Sequence, residues 1–277
     1  MQTAAAAEFD SIAALPKNSE EFTFRDWHIK YTKSHILHSQ CVNPVVCQGS
    51  TNEKCLFCSY NEILEIPHLP DMVFPKNVLV LRYKDKASIT FDALDALKRV
   101  RDIHNTKIAC SESWLESRKD NPELLDTKKI KPFDWTFCTD YKGTVSEDIL
   151  VEPTEETINV ERLKVREEIL FYHDLSLFED ELHDNGIASL SVKIRVMPYS
   201  YFILLRYFLR IDDVLIKIND TRYFYEVGRD YILREYTSKE NKVEELKVPK
   251  YVLVEPNEVA KHLSLKTKVC EKLILPK

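Results

Sequence analysis

Three successive runs of alternating side chains between Leu190 and Asp220 constrain the fold more than any other part of the chain. Every second residue of the first two runs is apolar or aromatic: Leu190, Val192, Ile194 and Val196, then Tyr201, Ile203, Leu205, Tyr207, Leu209 and Ile211. A third run begins with Val214, Ile216 and Ile218. Alternation with a period of two is typical of strands that bury one face. Because only short turns separate the runs, the pattern predicts an antiparallel meander at the centre of the protein.

Two segments outside this meander show helical periodicity. The segment from Ile89 to His104 places apolar residues on one face, and Asp92 is its candidate N-cap. The segment from Asn159 to Leu170 has a second apolar face among charged residues. Together with the meander, these segments predict an α+β fold, in which a layered central antiparallel β-sheet meander has helices packed on one side.

Length and composition indicate a mostly ordered globular protein. The chain has 277 residues, of which 44% are hydrophobic, so it can bury a substantial core as one large domain or two small ones. The Ala-rich and then polar start, residues 1–20, is predicted to be a disordered tail. Residues 21–277 are predicted to form one domain with a cysteine-rich insert at about 40–60.

Charge and hydropathy disfavour two broad classes of partner. The 39 basic and 45 acidic residues are spread evenly and give a formal charge of −6, which disfavours a nucleic-acid binder. The chain has no apolar run of about 18 residues, the length that predicts a membrane span. The seven cysteines, without a signal-peptide pattern, favour reduced thiols and a cytoplasmic location, with the nucleus as a second compartment.

The segment from Leu177 to Gly186 contains the most enzyme-like group of side chains. On a strand, Glu179, Glu181 and His183 would point to one side, where they could bind a metal or act as acid and base. Their spacing matches neither the zincin motif nor the aspartate loop of a calcium hand. We therefore favour a charged binding surface over the alternative, a metal-dependent hydrolase.

Four cysteines fall close together in the insert: Cys41, Cys47, Cys55 and Cys58. Cys55 and Cys58 form the Cys-x-x-Cys knuckle of many zinc sites, whereas the five-residue gap after Cys41 departs from it. His35 and His38 are further candidate ligands. A zinc-scaffolded adaptor and an insertion with free thiols both remain open. We expect no bound cofactor, and these four cysteines are the zinc candidates.

Several longer motifs, kept in order, resemble one known family. They are DWHIKYTKSHIL (26–37), WTFCTDYKGT (135–144), FEDELHDNG (178–186), SLSVKIRVMP (189–198), FLRIDDVLIKINDTR (208–222), LREYTS (233–238) and EPNEV (255–259). They are similar to the TIPRL family, the TOR signalling pathway regulator-like proteins that are TIP-type partners of type-2A phosphatases. The resemblance runs from about Phe22 to the C-terminus and says nothing of the cysteine insert.

The resemblance implies a non-enzymatic regulator with antiparallel sheets in layers. Its implied partners are the catalytic subunits of the type-2A, type-4 and type-6 phosphatases and the alpha-four (Tap-type) regulatory protein. Members of the family receive the extended C-terminal tail of the phosphatase in a cleft and act in TOR signalling. We expect the protein to be a monomer that inhibits the phosphatase or holds it in a latent state.

The resemblance assigns partner binding to Asp95, Ile158, Ile218 and Asp220, which lie in matching motifs. The two isoleucines would supply apolar contact and the two aspartates charge or hydrogen bonds. We add Arg222, whose guanidinium could meet a tail carboxylate, and Tyr236, an amphipathic ring predicted to lie beside it. The third strand of the meander is predicted to end at these polar residues. We also expect Asp220→Leu to weaken phosphatase capture without unfolding the protein.

Overall fold

The computed structural model describes residues 19–49, 54–66, 68–100, 136–182 and 186–277. Within these ranges the strands form two antiparallel sheets and the helices are short, so the predicted α+β class is confirmed. The predicted tail lies outside the described residues, except for Ser19 and Glu20, which begin the first strand. None of the helices in the described ranges is long and apolar enough to cross a membrane.

The described ranges contain strands β1 to β13 and helices α1 to α6. The strands are β1 (Ser19–Phe24), β2 (Trp27–Thr32), β3 (Met72–Val73), β4 (Val78–Tyr83), β5 (Ala87–Asp92), β6 (Thr144–Val145), β7 (Leu150–Pro153), β8 (Phe171–Asp180), β9 (Gly186–Met197), β10 (Ser200–Ile211), β11 (Leu215–Glu226), β12 (Tyr231–Lys242) and β13 (Leu265–Ile274). The helices are α1 (Pro44–Gly49), α2 (Leu56–Ile63), α3 (Ala93–Leu97), α4 (Val160–Lys164), α5 (Lys250–Leu253) and α6 (Pro256–Val259). A short 3₁₀ turn spans Val243–Glu245.

The predicted meander is the centre of the larger sheet. This sheet has eight strands in the order β3-β8-β9-β10-β11-β12-β13-β7. Each strand from β9 to β12 pairs with the next in antiparallel register, as the alternating runs predicted. β8 pairs with β9, but it spans Phe171–Asp180, so the strand considered for Leu177 to Gly186 is confirmed only up to Asp180 and does not include Glu181.

The smaller sheet includes residues that the sequence predicted to be helical. Its five strands lie in the order β1-β2-β4-β5-β6. The helix predicted from Ile89 to His104 was wrong at its start, because Ile89 to Asp92 form the end of β5. Its cap was right, since the Asp92 side chain accepts a hydrogen bond from the backbone N–H of Asp95 at the start of α3. The predicted residues after Val100 lie outside the described ranges.

The two sheets pack face to face around one apolar core. Inward-facing residues of both sheets belong to this core, and an aromatic layer joins them. The ring of Trp27 in β2 lies 5.4 Å from the ring of Tyr201 and 5.6 Å from that of Tyr225, both at near-perpendicular angles. Large aromatic side chains bury more area than any others, so this layer contributes much of the apolar stabilisation.

The segment from Thr136 to Val145 lies where the two sheets meet. Tyr207 donates a hydrogen bond to the carbonyl of Thr136, and Tyr223 donates one to the carbonyl of Lys142. Gly143 has a φ of +88°, and a Cβ there would lie 2.7 Å from the ring of Phe91. Only glycine fits this close approach without strain. The segment thus connects α3 and β5 to the inner face of the larger sheet.

Candidate partner-binding site

β11 carries three of the candidate residues on one face of the larger sheet. Ile218, Asp220 and Arg222 alternate with residues that point to the core, so all three lie on the opposite side, which we call the outer face. The side chain of Asn219, between them, donates a hydrogen bond to the carbonyl of Thr139 on the core side. The prediction that the strand ends here was wrong, because the ladder continues to Glu226.

Two apolar clusters cover the two ends of the outer face. The α5–α6 cover contains Phe208, Ile216 and Ile218 from the sheet, with Val252, Val259 and Leu263 packed over them. The α4 cover contains Phe224 and Leu233 from the sheet, with Ile158 packed over them. Ile158 is 5% exposed and Ile218 is 1% exposed, so each is part of a cover and not an open contact residue. Between Ile218 and Phe224 the strand spans about 20 Å.

A charged strip lies between the two covers and consists of Arg206, Asp220, Arg222, Glu235 and Lys268. Arg206 binds both oxygens of Asp220, with Nε–Oδ1 and Nη2–Oδ2 distances of 2.7 and 2.8 Å. Arg222 donates to Oδ2 of Asp220 at 2.9 Å and to Oε1 of Glu235 at 3.2 Å. Lys268 lies 3.3 Å from the other oxygen of Glu235. The strip is therefore a continuous chain of ion pairs across β10, β11, β12 and β13.

The charged strip presents positive charge to solvent. Its three cations face two carboxylates, so its net charge is +1. The Asp220 side chain is 4% exposed and that of Glu235 is 10% exposed, whereas Arg222 is 28% exposed and Lys268 is 40% exposed. The carboxylates of the strip are more deeply buried than its cations. A carboxylate of another protein can therefore bind the cations while the ion pairs within the strip stay intact.

Tyr236 does not lie beside Arg222. The register of β11 and β12 pairs Tyr236 with Thr221 and Arg222 with Glu235, so the ring and the guanidinium lie on opposite faces of the sheet. Lys142 lies over the Tyr236 ring, 4.9 Å from its centroid. The predicted adjacency was therefore wrong, because one residue of register moves a side chain to the other face.

Asp95 lies near the same segment as Tyr236. Its carboxylate accepts a hydrogen bond from Thr144 at 2.7 Å and pairs with Lys98 at 3.1 Å. Burial favours the neutral carboxyl, but the hydrogen bonds from Thr144 and Lys98 outweigh it and lower the pKa of Asp95. Asp95 contacts Thr144 and Tyr236 contacts Lys142, so both candidates lie beside the 136–145 segment and form a second group. The other four candidates surround the charged strip on the outer face.

The acidic residues at the end of β8 are held in place by hydrogen bonds from the backbone. β8 ends at Asp180, which is buried and accepts hydrogen bonds from the backbone N–H groups of Asp71 and Leu182. Burial and the neighbouring charge of Glu181 raise the pKa of Glu179. His183 lies outside the described residues, so the hydrolase site formed by Glu179, Glu181 and His183 stays a prediction.

The structure brings the four cysteines of the insert together. The Sγ atoms of Cys41, Cys47, Cys55 and Cys58 all lie within 4.8 Å of one another. The backbone N–H groups of Cys58 and Val42 donate to the Cys55 sulfur and lower the pKa of Cys55 to about 6. His35 and His38 are not members of the cluster. Among the described residues, this is the one group of His, Cys, Asp and Glu side chains close enough to hold a metal ion.

Comparisons with known proteins identify the family. The TIP41-like family profile matches residues 72–247. The TIP41-like protein of Homo sapiens is 44% identical over 270 residues, which cover 96% of this chain and 93% of that protein. The TIP41-like protein of Caenorhabditis elegans is 39% identical over 228 residues, which cover 82% and 79%. Type 2A phosphatase activator TIP41 of Saccharomyces cerevisiae is 33% identical over 285 residues, which cover 94% and 76%. The chain belongs to the TIP41-like family.

Sequence reasoning missed part of the outer face of this TIP41-like protein. The segment from Asn159 to Leu170 was predicted to be one helix, but α4 ends at Lys164. The residues after Lys164 are not helical, and they expose apolar side chains next to the α4 cover: Val165, Ile169 and Leu170. Tyr251 and Val254 are exposed at the α5–α6 cover. Exposed apolar residues beside a charged centre are typical of protein interfaces, so these are further candidate contacts.

Sequence reasoning also missed the partner of Asp220. Arg206 lies 14 residues before Asp220 in the chain, and its register position opposite Asp220 places the two side chains together. The geometry predicts that Asp220→Leu costs stability, because the substitution removes the carboxylate between two guanidinium groups. Breaking a buried ion pair on one side leaves an uncompensated charge.

We expect Asp220→Leu to lower the free energy of unfolding by about 3 kcal/mol, measured by urea denaturation, because Arg206 loses its two hydrogen bonds to Asp220 and keeps the one to Asn257. The double variant Arg206→Leu/Asp220→Leu should recover part of that loss, since no unpaired charge remains at that position. Asp174→Leu is the control, because Asp174 pairs with Lys193 on the surface and its loss should cost below about 1 kcal/mol. Equal effects of Asp220→Leu and Asp174→Leu would contradict the buried pairing.

Glu156 anchors the segment that carries Ile158. It accepts hydrogen bonds from Arg229 at 2.6 Å and Tyr231 at 2.9 Å, and Lys272 lies 2.9 Å away. The hydrogen bond from Lys272, followed by those from Arg229 and Tyr231, lowers the pKa of Glu156 from 4.5 to about 2. A carboxyl whose pKa is depressed on folding stabilises the fold above its unfolded pKa, and that stabilisation is lost as pH falls through the folded value.

We expect Glu156→Gln to lower the free energy of unfolding by about 1 kcal/mol at neutral pH, since the site is partly exposed and screened. The difference from the unsubstituted protein should shrink as pH falls from 4.5 toward about 2. Urea denaturation at several pH values measures this difference in the free energy of unfolding. Glu161→Gln, on the exposed face of α4, is the matched control. A difference that is constant over this window would contradict the assigned pKa shift.

Proposed function

We propose that this TIP41-like protein is a non-enzymatic regulator that binds the catalytic subunit of type 2A phosphatases through the outer face of the larger sheet. The observation that carries the proposal is the charged strip, a preformed cationic surface between two apolar covers. Relatives in Saccharomyces cerevisiae and Schizosaccharomyces pombe are named type 2A phosphatase activators. Family membership and a suitable surface together support this function.

The surface fits an extended acidic or C-terminal segment. Arg222 and Lys268 are the exposed cations of the charged strip, and a carboxylate can pair with either. The guanidinium of Arg222 is fixed by Asp220 and Glu235, so little side-chain entropy is lost on binding. Exposed apolar residues beside the covers would supply the remaining contact area. We therefore place the phosphatase tail across the strip.

The individual candidates take different roles in this proposal. Arg222 contacts the partner directly, whereas Asp220 positions Arg222 and Arg206. Ile158 and Ile218 are buried and hold the two covers in place. Asp95 and Tyr236, near the 136–145 segment, form a separate contact with the body of the phosphatase. Residues 21–277 would act as a single binding domain.

Further partners are proposed on the resemblance alone. They are the type-4 and type-6 phosphatase catalytic subunits and the alpha-four regulatory protein, and the setting is TOR signalling in the cytoplasm or nucleus, with the protein as a monomer. The resemblance implied inhibition of the phosphatase, whereas two relatives are named activators. The proposal is accordingly one of regulation, and phosphatase activity measured in the test below gives its sign.

The test is capture of a purified type 2A catalytic subunit, intact or without its C-terminal tail, by the immobilised protein. We expect the intact subunit to bind and the truncated subunit to bind at least about tenfold more weakly. Arg222→Gln should reduce capture of the intact subunit by a similar factor and should not alter capture of the truncated one. Arg82→Gln is the matched control, because Arg82 is exposed on β4 of the smaller sheet.

Each variant is first compared with the unsubstituted protein by circular dichroism, so that loss of folding is recognised. Failure to capture either form of the catalytic subunit would overturn the proposed function. Equal capture of both forms, with no effect of Arg222→Gln, would overturn the placement of the tail on the charged strip.

A further inference from the structure

The cysteine cluster of the insert has the dimensions of a tetrahedral metal site. Four thiolates at about 2.3 Å from a zinc ion lie about 3.8 Å from one another. The Sγ atoms of Cys41 and Cys55 are 4.0 Å apart, and all four Sγ atoms lie within 4.8 Å of one another. All four cysteines are free, and the sulfurs surround one common point instead of forming separate pairs. Shortening the distances between the sulfurs by at most about 1 Å would bring them to the spacing of zinc ligands.

The local backbone supports thiolate ligands at this position. Cys55 precedes α2 and Cys58 lies in its first turn, so the Cys-x-x-Cys spacing directs both sulfurs to the same side. The backbone N–H of Cys55 donates to Sγ of Cys47 at 3.3 Å. Hydrogen bonds from the backbone to ligand sulfurs orient the ligands of metal sites and stabilise their negative charge.

The insert has little apolar burial to hold it together. α1 has six residues and α2 has eight, which is too short for stable helices on their own. Apolar side chains of the insert are exposed: Val42 by 67%, Val45 by 82%, Leu56 by 44% and Ile63 by 49%. Tyr60 in α2 and Leu64 after it do pack against the central core, whereas none of the described residues from 40 to 55 belongs to that core. A small segment that buries so little apolar surface needs a cross-link, such as a disulfide or a bound metal ion, to be stable.

We propose that Cys41, Cys47, Cys55 and Cys58 bind one structural zinc ion. Four sulfur ligands complete a tetrahedral shell, so the site has no open position for substrate and the ion would act in folding and not in catalysis. It would fix the loop before α1, α1 itself and the start of α2 to one another. The TIP41-like family profile begins at residue 72, so the cysteines lie outside the region that it matches.

Zinc content of the full-length protein tests the proposal. The protein is purified under reducing conditions without chelators, and its metals are measured by inductively coupled plasma mass spectrometry. We expect one zinc per chain. Cys55→Ser/Cys58→Ser should reduce zinc content at least about tenfold, since two of four ligands are lost. Cys270→Ser is the matched control, because Cys270 lies in β13, apart from the cluster, and this variant should keep its zinc.

A second measurement keeps the test decisive if the double variant folds poorly. Zinc is removed from the unsubstituted protein with a chelator, and limited proteolysis is followed by mass spectrometry. We expect new cleavage sites confined to the insert, reversed by added zinc, while the two sheets stay protected. Folded protein with four reactive thiols and no zinc, iron in place of zinc, or disulfides among the four cysteines would each overturn the proposal.

Discussion

The alternation of side chains along β11 is the constraint on which the rest of the structure depends. One set of its residues, among them Tyr223 and Tyr225, enters the core shared with the smaller sheet. The other set forms the outer face, with Ile218, Asp220 and Arg222 in succession. A shift of one residue would bury the charged set in an apolar core, which is prohibitively costly. The same register therefore fixes both the packing of the sheets and the candidate binding surface.

The charged strip couples stability to the proposed function. Asp220 is almost fully buried and receives three hydrogen bonds from two arginines, so it holds Arg222 in place before any partner arrives. A surface that is already ordered loses less entropy on binding than a mobile one. The two covers protect the strip at both ends and leave its exposed cations at the centre. Substitutions in the strip thus need a stability control before a loss of binding is assigned to a lost contact.

The strands were easier to predict than the site. Residues 190–211 alternate so regularly that β9 and β10 follow from period alone, and Asp212–Asp213 marks the turn between β10 and β11. Register between strands is a long-range property, so the pairing of Arg206 with Asp220 and the opposite orientation of Tyr236 were not accessible from local pattern. The non-helical segment after α4 was missed because its sequence also satisfies helical periodicity.

In the cysteine insert, the sequence identified the candidate residues but not how they are arranged. Its spacing indicated two alternatives, zinc ligands or free thiols, because Cys41 and Cys47 do not follow the usual knuckle. The fold of α1 and the start of α2 brings all four sulfurs together, which spacing alone did not determine. The insert lies in the chain between β2 and β3, whereas the charged strip is formed by β10 to β13. Zinc loading and phosphatase capture can therefore be measured as separate properties.

Site-specific photo-crosslinking tests the central claim, that the charged strip receives the phosphatase tail, most directly. A photoreactive amino acid replaces Lys268, the most exposed member of the strip, and a second protein carries it at Arg82 on the smaller sheet. Both are irradiated with the intact type 2A catalytic subunit, and the crosslinked peptides are identified by mass spectrometry. The account predicts a crosslink from position 268 to the C-terminal tail and none from position 82. Crosslinks of equal yield from both positions, or a crosslink from 268 only to the body of the catalytic subunit, would contradict it.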